Sequence, residues 1–181
     1  MTLQLKILKN YFLMKKTKLI ILGCGSSLGV PKADGDWGKC NPNVIENFRT
    51  RCSALIQSQD INILIDTSPD LRFQLIKNKI KNINYVIYSH KHADQVHGIN
   101  DLRIFYIKNK KKIPIYADLE TANYLKKNFK YCFNNTADYK AILNLKLIKK
   151  NLFFSNKNKK IYIKSIPVQH GKILSQSFII N

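Results

Sequence analysis

Asn84-Tyr85-Val86-Ile87-Tyr88-Ser89-His90-Lys91-His92-Ala93-Asp94-Gln95-Val96-His97-Gly98 is the stretch on which the fold turns. An apolar run leads directly into a segment that holds three of the chain's four histidines within eight residues. Side chains alternate along an extended segment, so His90 and His92 project to one side and Lys91 to the other. Two imidazoles on one side, with a carboxylate two residues on, supply the nitrogen and oxygen donors that zinc or a similar divalent ion takes at about 2.0–2.2 Å. The stretch reads as a metal-binding loop at the carboxyl end of a buried strand. A hydrogen-bonded polar loop is the plainer reading of the same residues, and the spacing weighs against it.

Before this stretch, Thr17–Leu22 reads as a strand closed by Gly23-Cys24-Gly25-Ser26-Ser27-Leu28-Gly29-Val30-Pro31. That loop lacks the Lys-Ser/Thr ending of a nucleotide P-loop, and Pro31 with Asp34-Gly35-Asp36 predicts more loop where a dinucleotide site needs a helix. Lys32 to Arg51 shows no periodicity and is expected to be a long irregular segment. Ser53–Gln57 and Ile61–Asp66 form a predicted hairpin around Ser58-Gln59-Asp60. Ser68 as cap and Pro69 as first helical residue then start a helix with Leu71, Leu75, Ile76 and Ile80 on one face.

Beyond the histidines, a helix is expected from near Asn100, with Leu102, Phe105 and Tyr106 inward, running into the solvated Lys108–Lys112. Ile113–Ala117 reads as a strand, and Asp118 caps a helix carrying Leu119, Ala122, Leu125 and Phe129 on one side. Strands follow at Ile142–Ile148, Leu152–Ser155, Lys160–Val168 and Ser175–Ile180, with Gln169-His170-Gly171 as an interruption. Alternating strands and helices argue for a layered α/β domain over residues 17–181, preceded by residues 1–16 as an N-terminal extension.

The 181-residue chain carries a formal charge of +20, which suits a polyanionic partner. Yet Lys outnumbers Arg 27 to 4 and accompanies 25 Ile and 19 Asn along the whole chain. That spread fits compositional drift better than a built binding face, where Arg would feature. Nucleic acid is thus a less favoured partner than a small substrate. Lys6 and Lys9 interrupt the apolar Met1-to-Leu13 stretch, so neither a signal peptide nor a membrane span is expected. Cys24, Cys40, Cys52 and Cys132 form no CxxC pair, which points to a reduced, cytoplasmic setting, with Cys52 and Cys132 as small buried hydrophobes.

His170, the fourth histidine, also falls at the end of a predicted strand. With His90 and His92 it could complete a three-histidine site with an open fourth position, the arrangement of a catalytic zinc. The reaction class this implies is metal-assisted hydrolysis, by an ion that brings the pKa of bound water to around 7. Asp94 is the catalytic candidate, either holding a second ion or orienting the hydroxide. His97 reads as a further ligand or a polar loop residue, and Asp101 with Arg103 as substrate-phosphate contacts or a solvated pair.

His90-x-His92-x-Asp94 after a buried strand, with Asp66 at the end of an earlier strand and Gly23-x-Gly25-x-x-x-Gly29-x-Pro31 before it, resembles the metallo-β-lactamase superfamily. Gly23–Pro31, Cys40, Arg51-Cys52-Ser53-Ala54-Leu55 and Ile65-Asp66-Thr67-Ser68-Pro69-Asp70-Leu71-Arg72 are similar to its phosphoribosyl cyclic phosphate phosphodiesterase branch. The likeness runs from about Thr17 to Asn181. It implies a four-layer αββα sandwich with the metal site at one edge of two sheets. His90, His92 and His170 would match ligands of a first metal and Asp94 a ligand of a second, with Asp66 bracing the loop from behind. Three departures stand out. Gln95 occupies the place where the superfamily usually has histidine, the chain ends before a later bridging aspartate and final histidine could be matched, and the branch's structural-zinc cysteines are reduced to Cys40.

These readings lead to a zinc-dependent hydrolase, a phosphodiesterase acting on a small cyclic or phosphodiester substrate through a zinc-bound hydroxide. One zinc is expected rather than two, with manganese as the alternative ion. A tRNA-processing-like nuclease of the same superfamily is the second reading. A non-catalytic metal-binding fragment, missing the C-terminal part of the sandwich, is the third. An unfinished sandwich would expose apolar strand edges, so self-association is expected.

Overall fold

A computed structural model of the chain describes residues 17–58, 60–156 and 159–181. The expected extension over 1–16 lies outside the described residues, as does Gln59 of the expected hairpin turn. Among the described residues, nine strands form two sheets. The larger contains β1 (Lys18–Gly23), β2 (Ser53–Ser58), β3 (Ile61–Ile65), β4 (Tyr85–Ile87), β5 (Ile113–Ala117) and β6 (Leu143–Leu147), in that spatial order. β1, β2 and β3 pair antiparallel, and β3 to β6 pair parallel. The smaller sheet is the antiparallel meander β7 (Asn151–Asn156), β8 (Lys159–His170) and β9 (Ile173–Ile180).

Parallel neighbours need crossovers, and helices supply them on one face of the larger sheet. α1 (Leu71–Lys77) joins β3 to β4. The short α2 (Ala93–Val96), a 3-10 turn at Ile99–Leu102 and α3 (Arg103–Asn109) join β4 to β5. α4 (Leu119–Asn128) and α5 (Lys130–Phe133) join β5 to β6. The two-residue strand period sorts the core into two. Leu55, Leu64, Val86, Ile115 and Ala117 face the helices, burying Leu71, Leu75, Val96, Leu102, Phe105 and Leu125. Ile56, Ile61, Ile63 and Ile87 face the second sheet, where Leu152, Phe154, Ile161 and Ile163 fill the gap. The Phe154 ring meets Tyr85 and Tyr116 edge-on at 4.9 and 5.2 Å. Each such side chain contributes about 1.5–3 kcal/mol on full burial, and strands covered on both sides read as continuous apolar runs. The helical layer and two packed sheets are three layers of the expected αββα sandwich. No described helix buries residues in the cluster between the sheets.

Several expectations need correction. α1 starts at Leu71 rather than Pro69, because Ser68 Oγ accepts from the Asp70 amide at 3.1 Å and closes a turn first. Ile76, expected inward, is 62% exposed because α1 presents only Leu71, Gln74 and Leu75 to the sheet. Leu119 is likewise exposed, although Asp118 caps α4 as expected, accepting from the Thr121 amide at 2.8 Å. Gln169 and His170 do not interrupt β8: the strand continues through His170 and turns at Gly171, whose φ of 58° suits glycine. Cys132 is buried, but Cys52 is exposed, at the mouth of the β1–β2 pair.

Candidate metal centre

β3, β4 and β5 are parallel, and β1 runs the same way because two antiparallel pairings separate it from β3. Their carboxyl ends share one sheet edge, where open α/β sheets place ligand sites. β4 delivers Ser89, His90 and His92 to that edge. At the end of β3, Asp66 takes a left-handed φ of 60° and aims its carboxylate at the histidine loop. Asp66 Oδ1 accepts from the Ser89 amide and Oδ2 from the Ser89 hydroxyl, both at 2.7 Å. Burial drives the Asp66 pKa up to about 7 against the lowering effect of those two bonds. The Ser89 oxygen in turn lies 2.9 Å from His90 Nδ1. An ionised Asp66 can only accept, so the Ser89 proton points at it and the Ser89 lone pair takes His90 Nδ1–H. His90 Nε2 is left with a lone pair facing outward, held in the tautomer a ligand needs.

The far end of the loop is fastened by Thr67. Its amide donates to Gln95 O at 2.7 Å, and its carbonyl accepts from the Gly98 amide at 2.9 Å. A Cβ at Gly98 would stand 1.9 Å from Ser68 O, so the loop can lie this close only with glycine there.

His170 arrives from the other sheet. The long β8–β9 hairpin crosses to the loop, and the Gln176 amide of β9 donates to Ser89 O at 2.8 Å. Ser165 Oγ donates to Gln176 Oε1 at 2.7 Å, and Ser175 Oγ lies 3.4 Å from His90 Nδ1. The three rings converge, with centroids 4.6 Å apart for His90 and His92, 4.9 Å for His90 and His170, and 5.4 Å for His92 and His170. Their ligand atoms all lie within 4.8 Å of one another. His90 is buried and its pKa lowered, by burial first and then by the other two imidazoles. His92 and His170 are exposed.

Three nitrogens on a tetrahedral ion with Zn–N near 2.0–2.1 Å stand roughly 3.3 Å apart. His90 Nε2 and His92 Nδ1 are 3.1 Å apart, and His170 needs only a small inward movement, so the residues fit such an ion. Asp94, expected to hold a second ion or to orient the hydroxide, is not one of these three converging ligands. Its Oδ2 accepts from Gln95 Nε2 at 2.7 Å, while its charge acts on His90, Asp66, Cys52 and Arg51 from the side. His97 is also apart: at the end of α2 its ring packs on Phe129 at 5.7 Å, with Nε2 3.5 Å from Tyr124 Oη. Asp101 Oδ2 accepts from the Arg72 amide at 3.1 Å, and Arg103 stacks over Tyr139 at 4.3 Å, so the two do not form a pair with each other. Sequence reasoning passed over Ser89, legible only as the neighbour of His90, and Ser175, which no local pattern marks.

The family described as "Beta-lactamase superfamily domain" matches residues 61–180. The chain belongs to the β-lactamase superfamily. Within it the chain lies in a PhnP-like branch: the crystal structure of a diphosphatase from the PhnP family superposes with a TM-score of 0.78 at 28% identity, over 91% of this chain and 62% of that one. Human tRNase Z, short form, shares the fold at a TM-score of 0.60 and 17% identity, over 90% of this chain and 64% of that one. A Porphyromonas gingivalis protein named octanoyltransferase is 29% identical over 158 residues, which are 86% of this chain and 31% of that protein. The superfamily chain described here therefore spans under two thirds of each of these three proteins. Among the described residues no helix is long and apolar enough to cross a membrane.

Proposed function

We propose that the chain is a metal-dependent hydrolase of a small phosphodiester or diphosphate, with His90, His92 and His170 holding a zinc-type ion. The observation that carries this reading is the convergence of three imidazoles from two sheets, one of them oriented by Asp66 through Ser89. When bound, such an ion supplies a Lewis acid for a phosphoryl oxygen and brings the acidity of water toward neutrality. The chain's own residues do the rest. Asp66 and Ser89 hold His90, Thr67 and Gly98 hold the loop, and the β9 latch on Ser89 holds His170 in register with it. Asp94, turned beside the three rings and oriented by Gln95, is placed to accept a proton from an incoming water or hold it in line. The likeness to a PhnP-family diphosphatase supports the substrate class.

A nuclease acting on structured RNA is the second reading, favoured by the +20 charge. Purified chain loaded with zinc should bind about one ion and turn over a cyclic phosphodiester or bis(p-nitrophenyl) phosphate, and His92→Ala should lose both properties. Turnover of RNA alone, weakening steeply with salt, would select the nuclease. Retention of zinc by His92→Ala at wild-type affinity would refute the site.

A further inference from the structure

α1 and α3 lie side by side on the outside of the helical layer and leave a groove of about 520 Å³ between them. Its floor is Leu75 and Phe105, both part of the core. Its walls are apolar yet open to solvent: Ile76 is 62% exposed, Ile104 54% and Ile107 44%. These side chains stay in water only if nothing covers them, and a concave apolar strip of this kind is an unusual thing for a surface to leave bare. Arg72, Lys81, Arg103 and Lys108 also line it, against a single carboxylate, Asp101, which is engaged by the Arg72 amide. None of those four cations is in an ion pair with a carboxylate among the described residues.

We infer that this groove receives an acidic amphipathic helix from a partner protein. Both walls are helices with their backbone groups bonded internally, so no strand edge is offered and an extended peptide would gain no main-chain bonds. Each seven-residue wall is about 10 Å long, which accommodates about two turns of a docked helix. Leucine-type anchors at i, i+4 and i+7 would lie along Ile76, Leu75, Ile104 and Ile107, and carboxylates flanking that stripe would meet the four cations. The surplus of positive charge selects an acidic helix over a basic one.

The test is fluorescence anisotropy of the full chain with a synthetic peptide of about 14 residues, leucine at i, i+3, i+4 and i+7 and glutamate elsewhere. Saturable binding is expected, weakened about tenfold or more by Ile104→Glu or Ile76→Glu and by added salt, with thermal melts of both variants matching wild type. Ile45→Glu, at an exposed position in the 3-10 turn Ile45–Asn47, should leave binding unchanged. A peptide with lysine in place of glutamate should not bind. The inference is overturned if the acidic peptide does not saturate, if the lysine peptide binds as well, or if neither groove variant changes affinity. It is also overturned if phosphatidylglycerol vesicles, rather than the peptide, bind in an Ile104-dependent way.

Discussion

Replacing Asp66 with asparagine changes one atom's worth of shape and reverses the direction of a hydrogen-bond chain. In the native chain the Ser89 hydroxyl donates to Asp66 Oδ2 and its lone pair accepts from His90 Nδ1, leaving Nε2 unprotonated toward His92 and His170. In Asp66→Asn the side-chain carbonyl stays on the Ser89 amide, so the new NH₂ group faces the Ser89 hydroxyl and must donate to it. Ser89 then donates onward to His90 Nδ1, which moves the imidazole proton to Nε2, the atom the metal needs. Loss of the partner that orients a ligating histidine costs about 10–100-fold in metal affinity, or roughly 1.4–2.8 kcal/mol at 1.4 kcal/mol per decade. Zinc titration against a chromophoric chelator at pH 8, above the Asp66 pKa of about 7, measures it. Ser89→Ala should lose less, within about tenfold, because Ser175 Oγ stands 3.4 Å from the same Nδ1 and can accept its proton. Zinc affinity of Asp66→Asn equal to wild type, or a larger loss in Ser89→Ala than in Asp66→Asn, would refute the relay.

Gly98→Ala should lower stability by at least about 1–3 kcal/mol, since its Cβ would overlap Ser68 O at 1.9 Å and the loop must retreat; a Tm within about 1 °C of wild type would show that the close approach is not held. Zinc at about one hundred times its Kd should stabilise the fold by about 2.7 kcal/mol, raising Tm by roughly 5–10 °C, and EDTA should reverse the shift; an unmoved Tm would count against a site built into the folded state. Arg51 grips Asp70 by two side-chain bonds, at 2.9 and 2.6 Å, and holds the Asp70 pKa below the usual carboxylate range. Because the folded-state pKa is the lower one, the pair's stabilisation is present above the unfolded pKa of about 3.9 and is lost as pH falls through the folded value. Urea melts of Asp70→Asn should therefore show their full deficit at pH 7 and a shrinking one below about pH 4; a pH-independent deficit would mean that packing, not charge, accounts for it.

What local sequence determines here is the set of elements and the chemistry of one loop. Apolar runs of strand length with turn residues between them mark β2 to β5 almost residue for residue. The spacing of His90 and His92 after β4 puts two imidazoles on one side, because side-chain direction in an extended segment is a property of the backbone alone. Tertiary structure decided what each face meets. Ile76 and Leu75 are neighbours on α1, but only Leu75 finds the sheet. Cys52 looked like a core residue and is exposed: it stands just ahead of β2, where its thiol donates to Gly25 O at 3.2 Å and it joins neither core cluster. Asp94 carries the right chemistry at the right spacing, and the first turn of α2 sets it beside the converging imidazoles with its Oδ2 accepting from Gln95, outside the set of three ligand atoms. His170 reaches His90 across 79 intervening residues because the β8–β9 hairpin is long enough to span the sheets and the Gln176 amide needs a carbonyl, which Ser89 provides. A chain's periodicity records which side chains share a face; only the packed whole, where each buried amide must find an acceptor, sets which faces and which loops come together.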